Sequence, residues 1–257
     1  SPGEGGVAGL ERDVRDAATV GDAEARASEV AARSGDAHIT RVRLKNGARL
    51  LVMRDSTVPL VAMRAVWNGG LRYETAANNG INALLSALVT RGTSSRSADV
   101  INETIESMGG AIGGFSGQNS FGVRAELLAR HWEQGLEIVA DCVLNPAFDG
   151  AEVERERRAL IDDIVAQEDS LGARVSRLFN RTMYSRHAYR LDMLGTVNTV
   201  SALSRRQLVS YYRRHFPPGA MVLSVVGDVD PERVAARFRG LFGAHPLIRI
   251  VQVIEGG

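Results

Sequence analysis

The chain has 257 residues, 44% of them hydrophobic, which is enough to bury the core of one large domain or two small ones. Its 31 Lys and Arg nearly balance 30 Asp and Glu, so a net charge of +1 excludes a global field that would draw it to nucleic acid or acidic membranes. No apolar run approaches the ~18 residues that cross a bilayer. The single cysteine, Cys142, cannot form an internal disulfide, and its apolar neighbours predict a buried, inert thiol.

The first 36 residues differ in composition from the rest of the chain. They are rich in Ala, Gly, Glu, Arg and Asp with few large apolar side chains, so residues 1–36 are predicted to form a flexible, solvated N-terminal arm. The sequence begins with Ser1, which fits either removal of a signal segment or trimming. The compartment therefore stays open, with the bacterial periplasm or secretion favoured over the cytoplasm.

Alternating apolar residues predict a β-hairpin where order begins. In "HITRVRLKNGARLLVMRD" two such runs flank Asn46-Gly47, the dipeptide that best tolerates the positive backbone angles of a type I′ turn. A third strand is predicted in "PLVAMRAVWNGG", and the glycine pair ends it. A second hairpin, weakened by its glycines, is predicted from "AIGGFSG" and "SFGVRAELL".

Helical spacing dominates the other segments. Helices are predicted over 79–91, in "SADVINETIESMG" with Ser97 as its cap, and in "ARHWEQGLEIVADCVLNP". Residues 150–184 predict a long charged helical stretch that is broken near Gly172. The chain closes with a helix around "SRRQLVSYYRRHF", a buried strand in "AMVLSVVGDVD" and a helix that begins at Pro231. Because hairpins and helices are mixed without regular βαβ units, the predicted fold class is α+β, with an antiparallel-rich sheet packed against helices.

Several motifs, in a fixed order, together resemble one family. They are "NGGLRYET", "NNGINALLSALVTRGT", "ESMGG", "ELLARHWEQGLEIVADCVLNPAF", "EVERERRALIDDI", "HAYRLDMLGT" and "VVGDVDPERV". The chain resembles the pitrilysin/insulinase class of zinc metallopeptidases, most closely the branch that includes mitochondrial and bacterial processing peptidases. The resemblance implies one half-clamshell domain over 37–245, the first of an expected pair, and makes 246–257 a linker or the start of the second domain.

Members of that class carry an inverted zinc motif, His-x-x-Glu-His, in the helix that corresponds to residues 79–91. Spacing i, i+4 puts two imidazoles on one helix face to hold the metal, and the glutamate beside them takes a proton from the zinc-bound water. The resemblance, anchored by Gly80 and by "RGT" after the motif, places the two histidines on Ala83 and Ala87 and the catalytic glutamate on Ser86.

The third zinc ligand of the class is a glutamate on a second helix. Here Asp163 matches that ligand, and Glu156 matches a family glutamate seven residues before it. Methyl groups have no lone pair, and a single aspartate cannot hold zinc against water. The resemblance therefore implies a degenerate motif with no catalytic residues, no metal and no cofactor, although zinc is the cofactor of the class.

The histidines offer no replacement site. They are dispersed, no two lie at i, i+3 or i, i+4, and surface or capping roles are predicted for His38, His131, His187, His215 and His245. No Gly-x-Ser-x-Gly elbow supports a serine hydrolase, and "GGAIGG" lacks the Gly-Lys ending of a phosphate-binding loop.

The resemblance also implies a peptide-binding edge, because family members add the substrate as a strand to a sheet. The edge falls on Gly113, Gly114, Phe115 and Ser116, and the two glycines stand where the family usually has Asn and Ala. Peptide capture is therefore expected to be weak or altered.

Three functional hypotheses follow. In the first, the chain is a non-catalytic metallopeptidase homologue that pairs with an active zinc-bearing subunit, or with its own second domain, and binds or positions peptide substrates. The second is a truncated or inactivated zinc metalloendopeptidase, and the third is a structural scaffold without peptide binding. Nucleic acid and membranes are not expected as partners.

Overall fold

The computed structural model describes residues 38–244, and the predictions for residues 1–36, for 246–257 and for His245 lie outside the described residues. The described part holds one sheet, whose strands are β1 (Ile39–Arg43), β2 (Arg49–Arg54), β3 (Leu60–Asn68), β4 (Ala111–Ser116), β5 (Ser120–Leu128) and β6 (Val222–Gly227). Its eight described α-helices are α1 (Ile81–Leu88), α2 (Ala98–Ser107), α3 (Trp132–Leu144), α4 (Gly150–Ala166), α5 (Leu171–Met183), α6 (Val197–Ala202), α7 (Arg205–His215) and α8 (Pro231–Phe242).

The strand order is β1-β2-β6-β3-β5-β4. Strands β2 and β6 run parallel, and every other neighbouring pair is antiparallel. The α+β fold with an antiparallel-rich sheet is confirmed. None of the described helices is long and apolar enough to cross a membrane.

The core lies between the sheet and the helices, and aromatic side chains hold its centre. The rings of Phe121 on β5 and Phe216 after α7 stack with centroids 4.0 Å apart, and Trp67 on β3 contacts both. The Trp67 indole N–H donates to the carbonyl of Pro217 at 2.8 Å, so the large ring is buried without an unpaired donor. Cys142 is buried as predicted, and burial together with the neighbouring Asp141 charge raises the pKa of its thiol to about 12.

The first hairpin forms where predicted, but the type I′ turn is wrong. Among the described residues only Gly47 of the dipeptide has a positive φ, +98°, and its N–H donates to the carbonyl of Leu44 at 3.0 Å. The Asn46 side chain is engaged elsewhere, since its Oδ1 accepts from the Ala48 N–H at 3.1 Å and its Nδ2 donates to the Phe242 carbonyl at 2.7 Å. These contacts set a longer loop than the dipeptide alone would give.

The break in the long helical stretch also lies earlier than predicted. A 3-10 turn, Gln167–Asp169, follows α4, and the Ser170 hydroxyl accepts from the Ala173 N–H at 3.3 Å as the cap of α5. Gly172 lies inside the first turn of α5. A serine cap satisfies an otherwise unpaired helix donor, and this decides the boundary more strongly than glycine two residues later.

Strand β4 passes very close to α1, and a glycine makes the approach possible. A Cβ atom added to Gly114 would lie 2.0 Å from the carbonyl oxygen of Ser86 and 2.7 Å from Cγ1 of Val89. A Cβ on the preceding Gly113 would meet nothing within 4 Å. The two glycines therefore have different roles: Gly114 lets the strand reach the helix, whereas Gly113 leaves open space on the other face.

This difference predicts opposite outcomes for two equal substitutions. Gly114→Ala should lower the free energy of unfolding by about 1–3 kcal/mol, because β4 or α1 must shift to admit the methyl group. Gly113→Ala, the matched control, should change it by less than about 0.5 kcal/mol, as is usual away from close packing. Urea unfolding of both variants measures the difference, and equal effects would contradict the described contact.

Candidate functional site

The helix at the centre of the candidate site, α1, begins at a buried carboxylate. Oε2 of Glu74 accepts from the N–H of Gly80 at 2.7 Å and from Nδ2 of Asn79 at 2.8 Å. Oε1 accepts from the N–H and Nδ2 of Asn82 at 3.0 and 2.9 Å. Burial raises the pKa of Glu74, although these four hydrogen bonds act in the opposite direction. The carboxylate thus takes the place of a capping side chain at the helix start.

The residues around Glu74 tie α1 to distant parts of the chain. Nδ2 of Asn82 also contacts the Gly70 carbonyl at 3.1 Å and the Tyr211 hydroxyl at 3.0 Å. Nδ2 of Asn79 donates to the Asp192 carbonyl at 2.7 Å. Sequence patterns alone did not identify Glu74, Asn79 and Asn82 as a hydrogen-bonded cluster. Their signal was the polar run "ETAANNGIN" immediately before an apolar helix, which is typical of an anchored helix start.

The three positions matched to the zinc motif lie on α1, one turn apart on one face. Ala83 is buried, whereas Ser86 and Ala87 are half-buried. The Ser86 hydroxyl donates to the carbonyl of Ala83 at 2.8 Å, so it is hydrogen-bonded within the helix. The face that would hold a metal presents two methyl groups and one engaged hydroxyl.

The second predicted helix, α4, lies against α1 and carries the other two positions. Oε1 of Glu156 is 2.8 Å from Nε of Arg91, just beyond the end of α1, and the Glu156 side chain is 12% exposed. Asp163 lies two turns further along α4 and is exposed. The structure therefore brings Glu156 to α1 as an ion-pair partner and leaves Asp163 in solvent.

Zinc does not fit these residues. A catalytic zinc needs three nitrogen, sulfur or oxygen ligands from the protein, and the matched positions supply one exposed carboxylate. Across residues 38–244 no group of three or more His, Cys, Asp or Glu side chains is arranged to hold a metal ion.

The segment after α1 is fixed by a second, half-buried carboxylate. Asp141 on α3 accepts from the hydroxyls of Thr93 at 2.7 Å and Ser95 at 2.9 Å, from Nδ2 of Asn145 at 3.0 Å, and from Arg96. Burial opposes ionisation of Asp141, but these donors outweigh it and hold the pKa of the carboxyl below its ordinary value. Both ends of α1 are therefore held by polar contacts that involve no metal.

The predicted peptide-binding edge is the terminal strand of the described sheet. Strand β4 is the last strand in the described sheet order, and it pairs with β5 on one side. The Phe115 ring lies over Gly122 of β5, where a Cβ atom would be 2.6 Å from Cζ of the ring. Gly114 faces α1, so an additional strand beside β4 would run next to the degenerate motif.

The four described histidines are not near one another as a donor set. Nε2 of His131 accepts from Arg130 at 3.0 Å, and Nδ1 of His187 accepts from the Tyr189 N–H at 3.2 Å. His215 packs beside the rings of Tyr73 and Tyr211, and burial together with Arg214 lowers its pKa. His38 is exposed. His187 has the predicted capping role and His38 the predicted surface position, whereas His215 is half-buried beside two aromatic rings.

Comparison with known proteins decides the family. The sequence profile of the insulinase family, peptidase family M16, matches residues 49–197. The chain belongs to peptidase family M16. It is 32% identical over 207 residues to an uncharacterized zinc protease of Streptomyces coelicolor, covering 79% of this chain and 44% of that protein. It is 33% identical over 232 residues to an uncharacterized zinc protease of Mycobacterium leprae, covering 88% of this chain and 50% of the relative.

Solved structures share the fold, and one of them is a peptidase M16 domain. A protease from Helicobacter pylori superimposes with a TM-score of 0.78 at 17% identity, over 82% of this chain and 51% of that one. A peptidase M16 inactive domain from Pseudomonas fluorescens gives 0.75 at 19% identity, over 82% and 52%. The first half of the periplasmic protease PqqL from Escherichia coli gives 0.75 at 20% identity, over 82% and 47%. This M16 chain spans about half the length of the curated relatives it matches.

Proposed function

We propose that this M16 chain is a non-catalytic homologue that binds or positions peptide substrates together with an active, zinc-bearing M16 partner. The observation that carries the proposal is that α1 is held in place at both ends but lacks metal-binding side chains. Glu74 and the Arg91–Glu156 pair hold the helix, while Ala83, Ser86 and Ala87 offer no imidazole or carboxylate. A helix that keeps its position without metal-binding side chains suits packing and peptide binding rather than hydrolysis.

The lengths of the solved neighbours support the partner. Each of the three described above contains about as much chain again as the part that matches, and one of them is named the first half of a protease. In our proposal this domain works beside a second M16 domain, which lies either in the same polypeptide or in another. The periplasmic neighbour also motivates a periplasmic or secreted location as part of the proposal.

The side of β4 that pairs with no described strand is the proposed place for the peptide. Strand addition uses backbone hydrogen bonds, so it needs an accessible edge more than particular side chains. Gly113 leaves space on one face of β4, and the Phe115 ring supplies an apolar surface on that same face. Glycine costs more chain entropy on ordering than other residues, which is why we expect weak capture.

A second candidate function is an inactivated zinc metalloendopeptidase. It is favoured by the names of the curated relatives, which are uncharacterized zinc proteases. Both candidates have the same fold. They differ in the result expected after the zinc ligands are restored.

Metal content tests the proposal directly. The unmodified protein should contain no stoichiometric zinc by elemental analysis, because the motif positions lack ligands. The triple variant Ala83→His, Ala87→His, Asp163→Glu should bind one zinc, and Ser86→Glu should be required in addition before any peptide is cut. The matched control places two histidines at i, i+4 on an exposed helix, as Val100→His with Thr104→His. One equivalent of zinc in the unmodified protein, or no gain over the control in the triple variant, would contradict the motif assignment.

Peptide binding tests the other half of the proposal. A labelled, proline-free unfolded peptide should bind the chain with micromolar or weaker affinity, and Phe115→Asp should weaken binding further because a charge enters the apolar face of β4. Val58→Asp, at an exposed loop position, serves as the control. Thermal unfolding of both variants separates a loss of binding from a loss of folding. Submicromolar binding that survives Phe115→Asp in a folded protein would show that the peptide binds elsewhere.

A further inference from the structure

Helix α5 carries its apolar side chains in solvent. Five large apolar side chains are more than half exposed: Leu171 by 75%, Val175 by 67%, Leu178 by 69%, Phe179 by 57% and Met183 by 62%. Their spacing, i, i+4, i+7, i+8 and i+12, places them in one stripe on the helix. We call these five residues the α5 stripe.

The orientation of α5 is the reverse of that expected for a surface helix. An amphipathic helix of a globular domain normally turns its apolar stripe to the core. Here no residue of α5 is buried within the described structure, and its less exposed side chains are Ala173, Arg177 and Asn180. At 3.6 residues per turn these three lie on the side opposite to the α5 stripe. The domain therefore contacts the polar side of α5 and leaves the stripe outward.

Polar contacts fix this orientation. Ser170 caps the start of α5. Nη1 of Arg177 lies 3.6 Å from Oδ2 of Asp192, which belongs to the segment that α5 packs against. One hydrogen bond, from Nδ2 of Asn79 to the Asp192 carbonyl, links that segment to the residues just before α1. The stripe is thus presented by a helix that is attached to the same frame as the degenerate motif.

Charge narrows the kind of surface that covers the α5 stripe. The sequence from Leu171 to Leu191 contains five arginines and no Asp or Glu, and Arg174 and Arg181 border the stripe along one edge. Glu168 and Asp169 line the same depression as these two arginines, so a complementary surface is an apolar groove with side chains of both charges along its rim. Five large apolar side chains exposed in one stripe form the kind of contiguous apolar patch that often marks an interaction site.

We propose that the α5 stripe is the docking surface for a second peptidase M16 domain. The proposal rests on the proposed function and names the surface through which the partner binds. Its occupant is inferred from length, since the solved neighbours extend for about as much chain again beyond the part that matches this one. In the described structure, the α5 stripe and its charged edge are the surface that a second domain would bury.

Crosslinking at the stripe tests the docking surface. A photo-reactive phenylalanine derivative is incorporated at position 178 when the cells of origin synthesise the protein. The cells are then irradiated, and the crosslinked adduct is identified by mass spectrometry. The control carries the same group at Val100, which is exposed on α2. Adducts from position 178, and not from position 100, to an M16 domain other than this one support the proposal. Adducts to lipid or to a second copy of this chain, or none at all, overturn it.

A substitution provides the second measurement. The double variant Leu178→Asp, Phe179→Asp should lower co-purification or binding of the M16 partner roughly tenfold, while Val100→Asp should leave it unchanged. All three side chains are exposed, so these variants should fold. Equal partner binding by the double variant would show that the α5 stripe is not the docking surface, while the proposed function would stand. Absence of any M16 partner with the unmodified protein would contradict both.

Sedimentation with vesicles distinguishes a membrane from a protein partner. Vesicles of phosphatidylglycerol and phosphatidylcholine should not carry the unmodified protein down at physiological salt. Binding to them that is lost in the double variant would overturn the proposal, because a basic amphipathic helix can also lie in an anionic membrane surface.

Discussion

The clamping of helix α1 at both ends is the interaction on which the rest of this structure depends. The Glu74 carboxylate accepts four hydrogen bonds at the start of the helix, and the Arg91–Glu156 pair joins its end to α4. A buried carboxylate is costly unless its oxygens are hydrogen-bonded, so these partners cannot be moved independently. The position of the degenerate motif, the approach of β4 at Gly114 and the packing of the Asp192 segment all follow from where α1 lies.

This arrangement separates the frame of the site from its chemistry. None of the contacts that place α1 requires an imidazole at position 83 or 87 or a carboxylate at position 86. A helix without metal-binding donors at these three positions can therefore keep its place, together with the adjoining sheet edge. Such a domain can retain the binding functions of a peptidase without the reaction, which is the physical basis of the proposed function.

The sequence predicted the parts of the fold that depend on local patterns. Alternation around Asn46-Gly47 located the first hairpin, and Ser97 located the cap of α2, because strand period and helix capping are local properties. The motif positions Ala83, Ser86 and Ala87 came from the resemblance, and the structure confirms that they lie on one helix. Strand β4 is the last described strand in the order, while its role as a peptide-binding edge stays a prediction.

The features that sequence patterns missed depend on contacts between distant residues. Glu74 is polar and precedes a helix, and only the folded chain shows that it is buried with Asn79 and Asn82. The amphipathic pattern of α5 is visible in the sequence, but only the folded chain shows that its polar side, with Arg177 near Asp192, faces the domain. A periodic pattern fixes the existence of an apolar stripe and not its direction.

Amide hydrogen exchange along α1 tests the central claim most directly, because it measures how firmly the helix is held without metal. The N–H groups of Leu84 to Val89 should exchange only through global unfolding, with protection that is unchanged by zinc or by a chelator. In Glu74→Gln, these amides should exchange through local opening, whereas Glu103→Gln on the exposed side of α2 should behave like the unmodified protein. Rapid local exchange in the unmodified protein, or protection that rises when zinc is added, would contradict the account.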